Sequence, residues 1–186
     1  MCCFGKLKLR IKKNKKTSQT LKWSKVPKAV RYDVYANKCG KANSLKKVAS
    51  VKGTTYKAKK LKKATYYKYV VIAVGSNGKV VSSSKVVHMA TSGGKVGNDK
   101  AVKTRAKKNK VTVKKGKTFK LKGKAVRASK KLKVKKHVGI RYESSNPKVA
   151  TVSKKGVIKG LMKGKTCYVY VYAQDGVYKR IKVNVS

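Results

Sequence analysis

Apolar and polar residues alternate along this chain in short bursts, and clusters of Gly, Asn or Ser separate the bursts. Examples are LKLRI (7–11), TLKWSKV (20–26), RYDVYA (31–36), YYKYVVIAV (66–74), KVTVKKG (110–116), TFKLKGKAV (118–126), CYVYVYA (167–173) and RIKVNV (180–185). A strand sends successive side chains to opposite faces, so a period of two gives each burst one face for a core and one for water. An amphipathic helix needs spacings of three and four, and no stretch longer than two turns shows them. Pro27 and Pro147 fall outside the strand interiors, where proline would remove a ladder donor. The pattern predicts an all-β protein.

The clearest interruption is TSGGKVGND (91–99), a Gly-rich polar stretch without apolar periodicity. It predicts a first domain over 1–91, a linker over 92–99 with some freedom of movement, and a second domain over 100–186. Each half offers about seven short strands at spacings of roughly 8–12 residues, the pattern of an immunoglobulin-like sandwich. Two tandem antiparallel β-sandwiches are therefore expected, the first with a short, incomplete opening strand.

Charge limits the partners. The chain has 186 residues, 53 Lys plus Arg against 4 Asp plus Glu, and a formal net charge of +49. A hydrophobic fraction of 40% is that of a globular chain, so the charge does not imply disorder. A compact body of this mass exposes on the order of 9,000 Å², which spaces net charges about 13 Å apart. The Debye length is about 8 Å at physiological salt, so the repulsion is tolerable there and damaging in dilute buffer. Such a surface attracts polyanions of every kind; the plainer reading is that lysine only keeps the surface soluble. Of the cations 47 are Lys and six are Arg. Reading nucleic acid favours the forked guanidinium, so no specific nucleic-acid partner is expected.

Catalytic and metal-binding parts are scarce. Cys2, Cys3, Cys39 and Cys167 form no C-x-x-C pair, and the adjacent Cys2 and Cys3 do not readily bridge each other. His88 and His137 are far apart and each sits beside valine in an expected strand, which favours structural roles. Asp33, Asp99, Glu143 and Asp175 are scattered, so no acidic cluster supplies hard ligands for calcium. A nucleophile would need a base and a group to orient it, and neither a Walker-type loop nor G-x-G-x-x-G occurs. No enzyme, metal or cofactor is expected. No apolar run approaches the roughly 18 residues that span a bilayer.

Particular residues resemble known families. Trp23, then Tyr32, Val34 and Tyr35, then LKKATYYKYVVIA (61–73) with Leu61, Thr65, Tyr67, Tyr69, Val71 and Ala73, and finally SNGK (76–79) occur in the order seen in fibronectin type III modules. That resemblance implies that Trp23 is the core tryptophan and Tyr67 the tyrosine whose hydroxyl fixes a loop backbone. In the second half, VTVKKGKTFKL (111–121) and YESSNPKVATVSKKGVIKGLMKGKTCYVYVYA (142–173) are similar to bacterial immunoglobulin-like domains of group 2. There Val149, Ala150 and Val152 are expected in the core, with S-S-N-P and Gly156 at tight turns. Together the resemblances imply a non-enzymatic, extracellular or cell-wall-associated spacer or adhesion protein. It would be monomeric or part of a longer chain, with no export signal visible in this one.

CYVYVYA is the local feature with the most chemistry. Alternation puts Cys167, Val169, Val171 and Ala173 on one face and Tyr168, Tyr170 and Tyr172 on the other, pointing outward. A tyrosine ladder among lysines could stack on sugar rings while ammonium groups grip acidic substituents. The competing reading is that tyrosine favours strands and packs across them. The expected partners are anionic cell-wall polymers or acidic polysaccharide.

Overall fold

The structure is a computed structural model that describes residues 7–40 and 42–186; Cys2 and Cys3 lie outside the described residues. The chain divides into two compact units. One comprises the residues up to Asn98 with 129–138 and 174–176; the other comprises 99–128, 139–173 and 177–186. Apart from one 3-10 turn at Lys107–Asn109, all regular structure among the described residues is β.

In the first unit, β1 (Arg10–Asn14), β2 (Gln19–Lys22) and β5 (Thr55–Ala58) form a three-stranded sheet in the order β1-β2-β5. β3 (Ala29–Lys38), β4 (Lys46–Val51), β6 (Tyr66–Gly75) and β7 (Val80–Ser83) form another in the order β4-β3-β6-β7, and β8 (Val87–Ala90) also pairs with β6. The inward residues of both sheets make one core that includes Leu21, Trp23, Tyr32, Val34, Tyr69 and Val71. Full burial of each such side chain is worth roughly 1.5–3 kcal/mol before ordering costs. Pro27 sits in the turn between β2 and β3, where its missing N–H costs no ladder bond. SNGK closes the β6–β7 hairpin, with Gly78 at φ 75° donating to the Gly75 carbonyl at 3.0 Å.

The Gly-rich stretch after β8 is tied into this unit. Asn98 Oδ1 accepts the Ala90 N–H and its Nδ2 donates to the Ala90 carbonyl, both at 2.9 Å. Gly97 N–H donates to the Lys133 carbonyl, and Lys133 N–H donates to that of Lys95. The backbones run so close that a Cβ on Gly97 would meet Leu132 Cβ at 2.8 Å.

In the second unit, β10 (Lys110–Val113), β13 (Arg141–Ser144), β16 (Thr166–Tyr172) and β17 (Tyr178–Val185) form a sheet in the order β10-β17-β16-β13. Its β10–β17 pairing is parallel and the others antiparallel. β11 (Thr118–Lys120), β14 (Ala150–Val152) and β15 (Val157–Gly160) form a second sheet, while β9 (Asp99–Lys103) pairs with β12 (Lys124–Arg127). The shared core includes Val111, Leu121, Ile158, Val169, Val171 and Ile181. Val149 and Ala150 are buried in it, and Val152 packs against it half-buried. Gly156 makes the β14–β15 turn at φ 75°, and a Cβ there would lie 2.4 Å from Tyr142 Cζ. The architecture is all-β, a β-sandwich in each half of the chain.

Candidate functional site

Strand β16 sends Cys167, Val169 and Val171 into the second core, each at most 3% exposed. Its opposite face carries Tyr168, Tyr170 and Tyr172, and antiparallel pairing places β17 residues Lys182, Arg180 and Tyr178 directly across from them. The face is thus a mosaic of rings and cations. The Arg180 guanidinium lies 4.7 Å from the centre of the Tyr168 ring. Tyr170 meets Tyr178 edge-on at 5.6 Å between centroids.

The three tyrosines do not share one environment. Tyr168 and Tyr170 are half-buried, whereas Tyr172 is buried and does not extend the outward face. The Tyr172 ring packs against Tyr170 and Tyr178, and its hydroxyl donates to Glu143 Oε2 at 3.1 Å. Burial, and then the Glu143 carboxylate, push that hydroxyl well above its ordinary pKa, so it remains a donor. Beside Tyr168 an open groove of about 520 Å³ is lined by Lys110, Tyr178, Lys179, Arg180 and Lys182 together with Lys108 and Asn109. Two rings and several cations around one groove suit a flat, acidic ligand such as a uronic or phosphorylated sugar.

The two residues singled out for structure in the first half sit in its core. Trp23 is 3% exposed and tilts against Tyr32 at 5.6 Å. The Tyr67 hydroxyl accepts the Lys62 N–H at 2.9 Å, fixing the loop before its own strand. Tyr32 does the same for the Val26 N–H.

A second constellation was not visible as a motif. Cys39 follows β3, His88 lies in β8, and His137 lies in the 129–138 segment of the same unit. Their ligand atoms all fall within 4.8 Å of one another, with Cys39 Sγ 3.2 Å from His88 Nδ1. The two imidazoles stack with centroids 5.6 Å apart and planes 15° apart. Burial pushes the Cys39 thiol up to about 11 despite the Lys68 ammonium nearby. Burial, with Lys135, lowers His137 below its ordinary value. No spacing rule would have paired residues 49 positions apart with a third in the other half of the sequence. The one available signal was that Cys and His are the soft-ligand residue types.

Acidic groups are engaged elsewhere. Asp33, on the outer side of β3, accepts from Ser50 at 2.6 Å and pairs with Lys47 at 3.0 Å and Arg31 at 3.3 Å. Burial alone would raise its carboxyl, but Ser50, Lys47 and Arg31 outweigh that and hold it below its ordinary value.

Sheet order and cores define immunoglobulin-like β-sandwich architecture. The family model of the bacterial Ig-like domain (group 2) matches residues 101–183, so the resemblance read from 111–121 and 142–173 is borne out. No curated protein matches the chain. Among solved structures it is similar to the fibronectin type III domain of human fibronectin type III domain containing protein 3, with 24% identity and a TM-score of 0.42 over 48% of this chain and 87% of that one. It is also similar to a Fn3-like protein from Clostridium thermocellum, at 23% identity and TM-score 0.39 over 48% and 91%. A third is the FN5 domain of Drosophila Lar, at 26% identity and TM-score 0.37 over 47% and 92%. No helix among the described residues is long and apolar enough to cross a membrane.

Proposed function

We propose that the chain is a non-enzymatic spacer or adhesion unit of a bacterial surface protein whose basic exterior associates with anionic cell-wall polymers. One observation carries the reading: among the described residues no lysine or arginine is buried, so the cations all reach the surface, where four acids cannot neutralise them. Domains of this immunoglobulin-like family occur in bacterial surface or extracellular proteins, which supports that setting. A polyanion displaces condensed counterions when lysines dock on it, so affinity of this kind falls steeply with salt and is indifferent to sequence.

A second reading rests on the groove beside Tyr168 and Arg180. There the aromatic rings would stack on a sugar while Lys110, Arg180 and Lys182 hold its acidic groups, giving recognition of a defined acidic polysaccharide. A salt titration of binding to purified cell wall, acidic polysaccharide and duplex DNA separates the two. Parallel collapse of all three curves is the outcome expected of a purely electrostatic unit. Polysaccharide binding that survives high salt while DNA binding vanishes would establish the groove instead. Binding to none of the three at low salt would sink both.

A further inference from the structure

We propose that the Cys39 thiolate and the His88 and His137 imidazoles hold one divalent metal ion of borderline softness, Zn2+ above all, with its fourth position left to water. One sulfur and two nitrogens make the ligand set such ions prefer, whereas calcium and magnesium need oxygens. A tetrahedral zinc with S and N bonds of about 2.3 and 2.05 Å separates its ligands by about 3.4–3.6 Å. The Cys39 Sγ–His88 Nδ1 distance of 3.2 Å lies a few tenths of an ångström inside that edge. No pair exceeds 4.8 Å, so the remaining gaps close with movements on the order of 1 Å. His137 is exposed, and its ring is the one that would shift, against its contacts with the Tyr66 and His88 rings.

The backbone beneath the ligands is fixed. Cys39 N–H donates to the Tyr66 carbonyl at 2.8 Å, and His88 N–H donates to the Gln174 carbonyl at 2.8 Å. The Gln174 side chain then accepts the His137 N–H at 2.9 Å and donates to the Lys135 carbonyl at 2.8 Å. One residue therefore sets the spacing of both histidines. The Tyr66 ring, 4.7 Å from that of His137, walls the other side.

Binding is a simple exchange. The Cys39 S–H bond breaks, its proton passes to buffer, and the sulfur lone pair forms the metal bond with no change of oxidation state. Lys68 and Lys135 oppose the incoming dication, and the new thiolate offsets one of those charges. The metal would pin the 129–138 segment to the end of β3 and to β8, adding stability to this unit in proportion to occupancy.

The test is a Co2+ titration, back-titrated with Zn2+, of reduced protein carrying Cys2→Ser and Cys3→Ser. The expected result is one equivalent bound with a thiolate-to-cobalt charge-transfer band and strong four-coordinate visible absorption, both bleached by Zn2+. Cys39→Ser should abolish the charge-transfer band, and His137→Ala should weaken binding at least about tenfold. Cys167→Ala should change neither. Since Cys39→Ser could disturb folding, the exposed His137 supplies the independent variant, with far-UV circular dichroism as the control. A charge-transfer band that survives Cys39→Ser, full affinity in His137→Ala, or only weak six-coordinate spectra in the parent would overturn the assignment.

Discussion

Strands β6 and β16 are written in nearly the same letters, YYKYVVIA and TCYVYVYA, yet they spend their tyrosines in opposite ways. In β6 the core takes Tyr67, Tyr69, Val71 and Ala73, leaving Lys68 on the other face. In β16 the core takes Cys167, Val169 and Val171, with Ala173 just past the strand, so the tyrosines fall on the other face. The phase follows from what shares each parity: an unpaired ammonium cannot enter a core, and a run of small apolar side chains fills one well. A tyrosine sent inward must also find a partner for its hydroxyl. Tyr69 donates to Gln19 Oε1 at 2.7 Å, and Gln19 in turn donates to Asn14 Oδ1 and the Met89 carbonyl. On β16 it is Tyr172 that is buried, and its hydroxyl donates to Glu143 Oε2, while Tyr168 and Tyr170 stay half-buried.

The sharpest way to break this comparison is to truncate one ring on each strand. Tyr69→Ala should cost about 3–5 kcal/mol, because it empties a fully enclosed site and strands the Gln19 amide. Tyr170→Ala should cost less than about 1 kcal/mol, as its ring is only half-buried. Burial pushes the Tyr69 hydroxyl far above its ordinary pKa, with Tyr67 and Tyr56 adding to it, so the cost of Tyr69→Ala should not vary between pH 6 and pH 9. Urea unfolding of the two variants decides the matter, and equal costs would show that the two faces are not differently packed.

Asp33 extends the contrast to charge, with a smaller effect. It is the acid that the outer face of β3 encloses among cations, whereas the outer face of β16 uses Glu143 to hold a tyrosine. Asp33→Asn should cost about 1–2 kcal/mol at neutral pH, from a weakened hydrogen bond and two lost ion pairs. The sign with pH is fixed by linkage. A carboxyl whose folded pKa lies below its unfolded value of about 3.9 stabilises the fold fully above that unfolded value. The contribution fades as pH falls through the folded pKa, so the parent and Asp33→Asn should converge in acid. Chemical denaturation at pH 7 and pH 2.5 measures the difference, and a gap that persists unchanged at pH 2.5 would remove the ion pairs from the explanation.

Most of the fold was legible because period-two alternation is a local signal and each sandwich face is a sum of such signals. Cys167, Val169 and Val171 were readable as core for that reason, and so was the second half as an immunoglobulin-like domain. Three things were not legible, and each depends on residues distant in sequence. Tyr172 loses its exposure to Tyr178 and Glu143, which alternation along β16 cannot see. The backbone of the lysine-rich 129–138 segment bonds to Lys95 and Gly97, a pairing that no local pattern reveals. The Cys39, His88 and His137 cluster needs both that segment and the β3–β6–β8 pairing before all three of its members meet.

The finest distinction is between a tyrosine that is merely tolerated on the outer face and one that works there. Tyr168 is the better candidate, since Arg180 lies over its ring and the groove opens beside it. A guanidinium stacked on a ring is held flat, with its edge donors free to meet a carboxylate or phosphate. Replacing Tyr168 and Tyr170 together by Ala should leave unfolding within about 1 kcal/mol of the parent. Affinity for acidic polysaccharide at physiological salt should fall about threefold to tenfold, the worth of one or two ring contacts. DNA binding should hardly move, because it depends on the lysines that the double variant keeps. Isothermal titration of the two ligands against the double variant reads this difference directly. If polysaccharide and DNA affinities drop by the same factor, the rings contribute nothing of their own and the outer face of β16 is only the lysine surface continued.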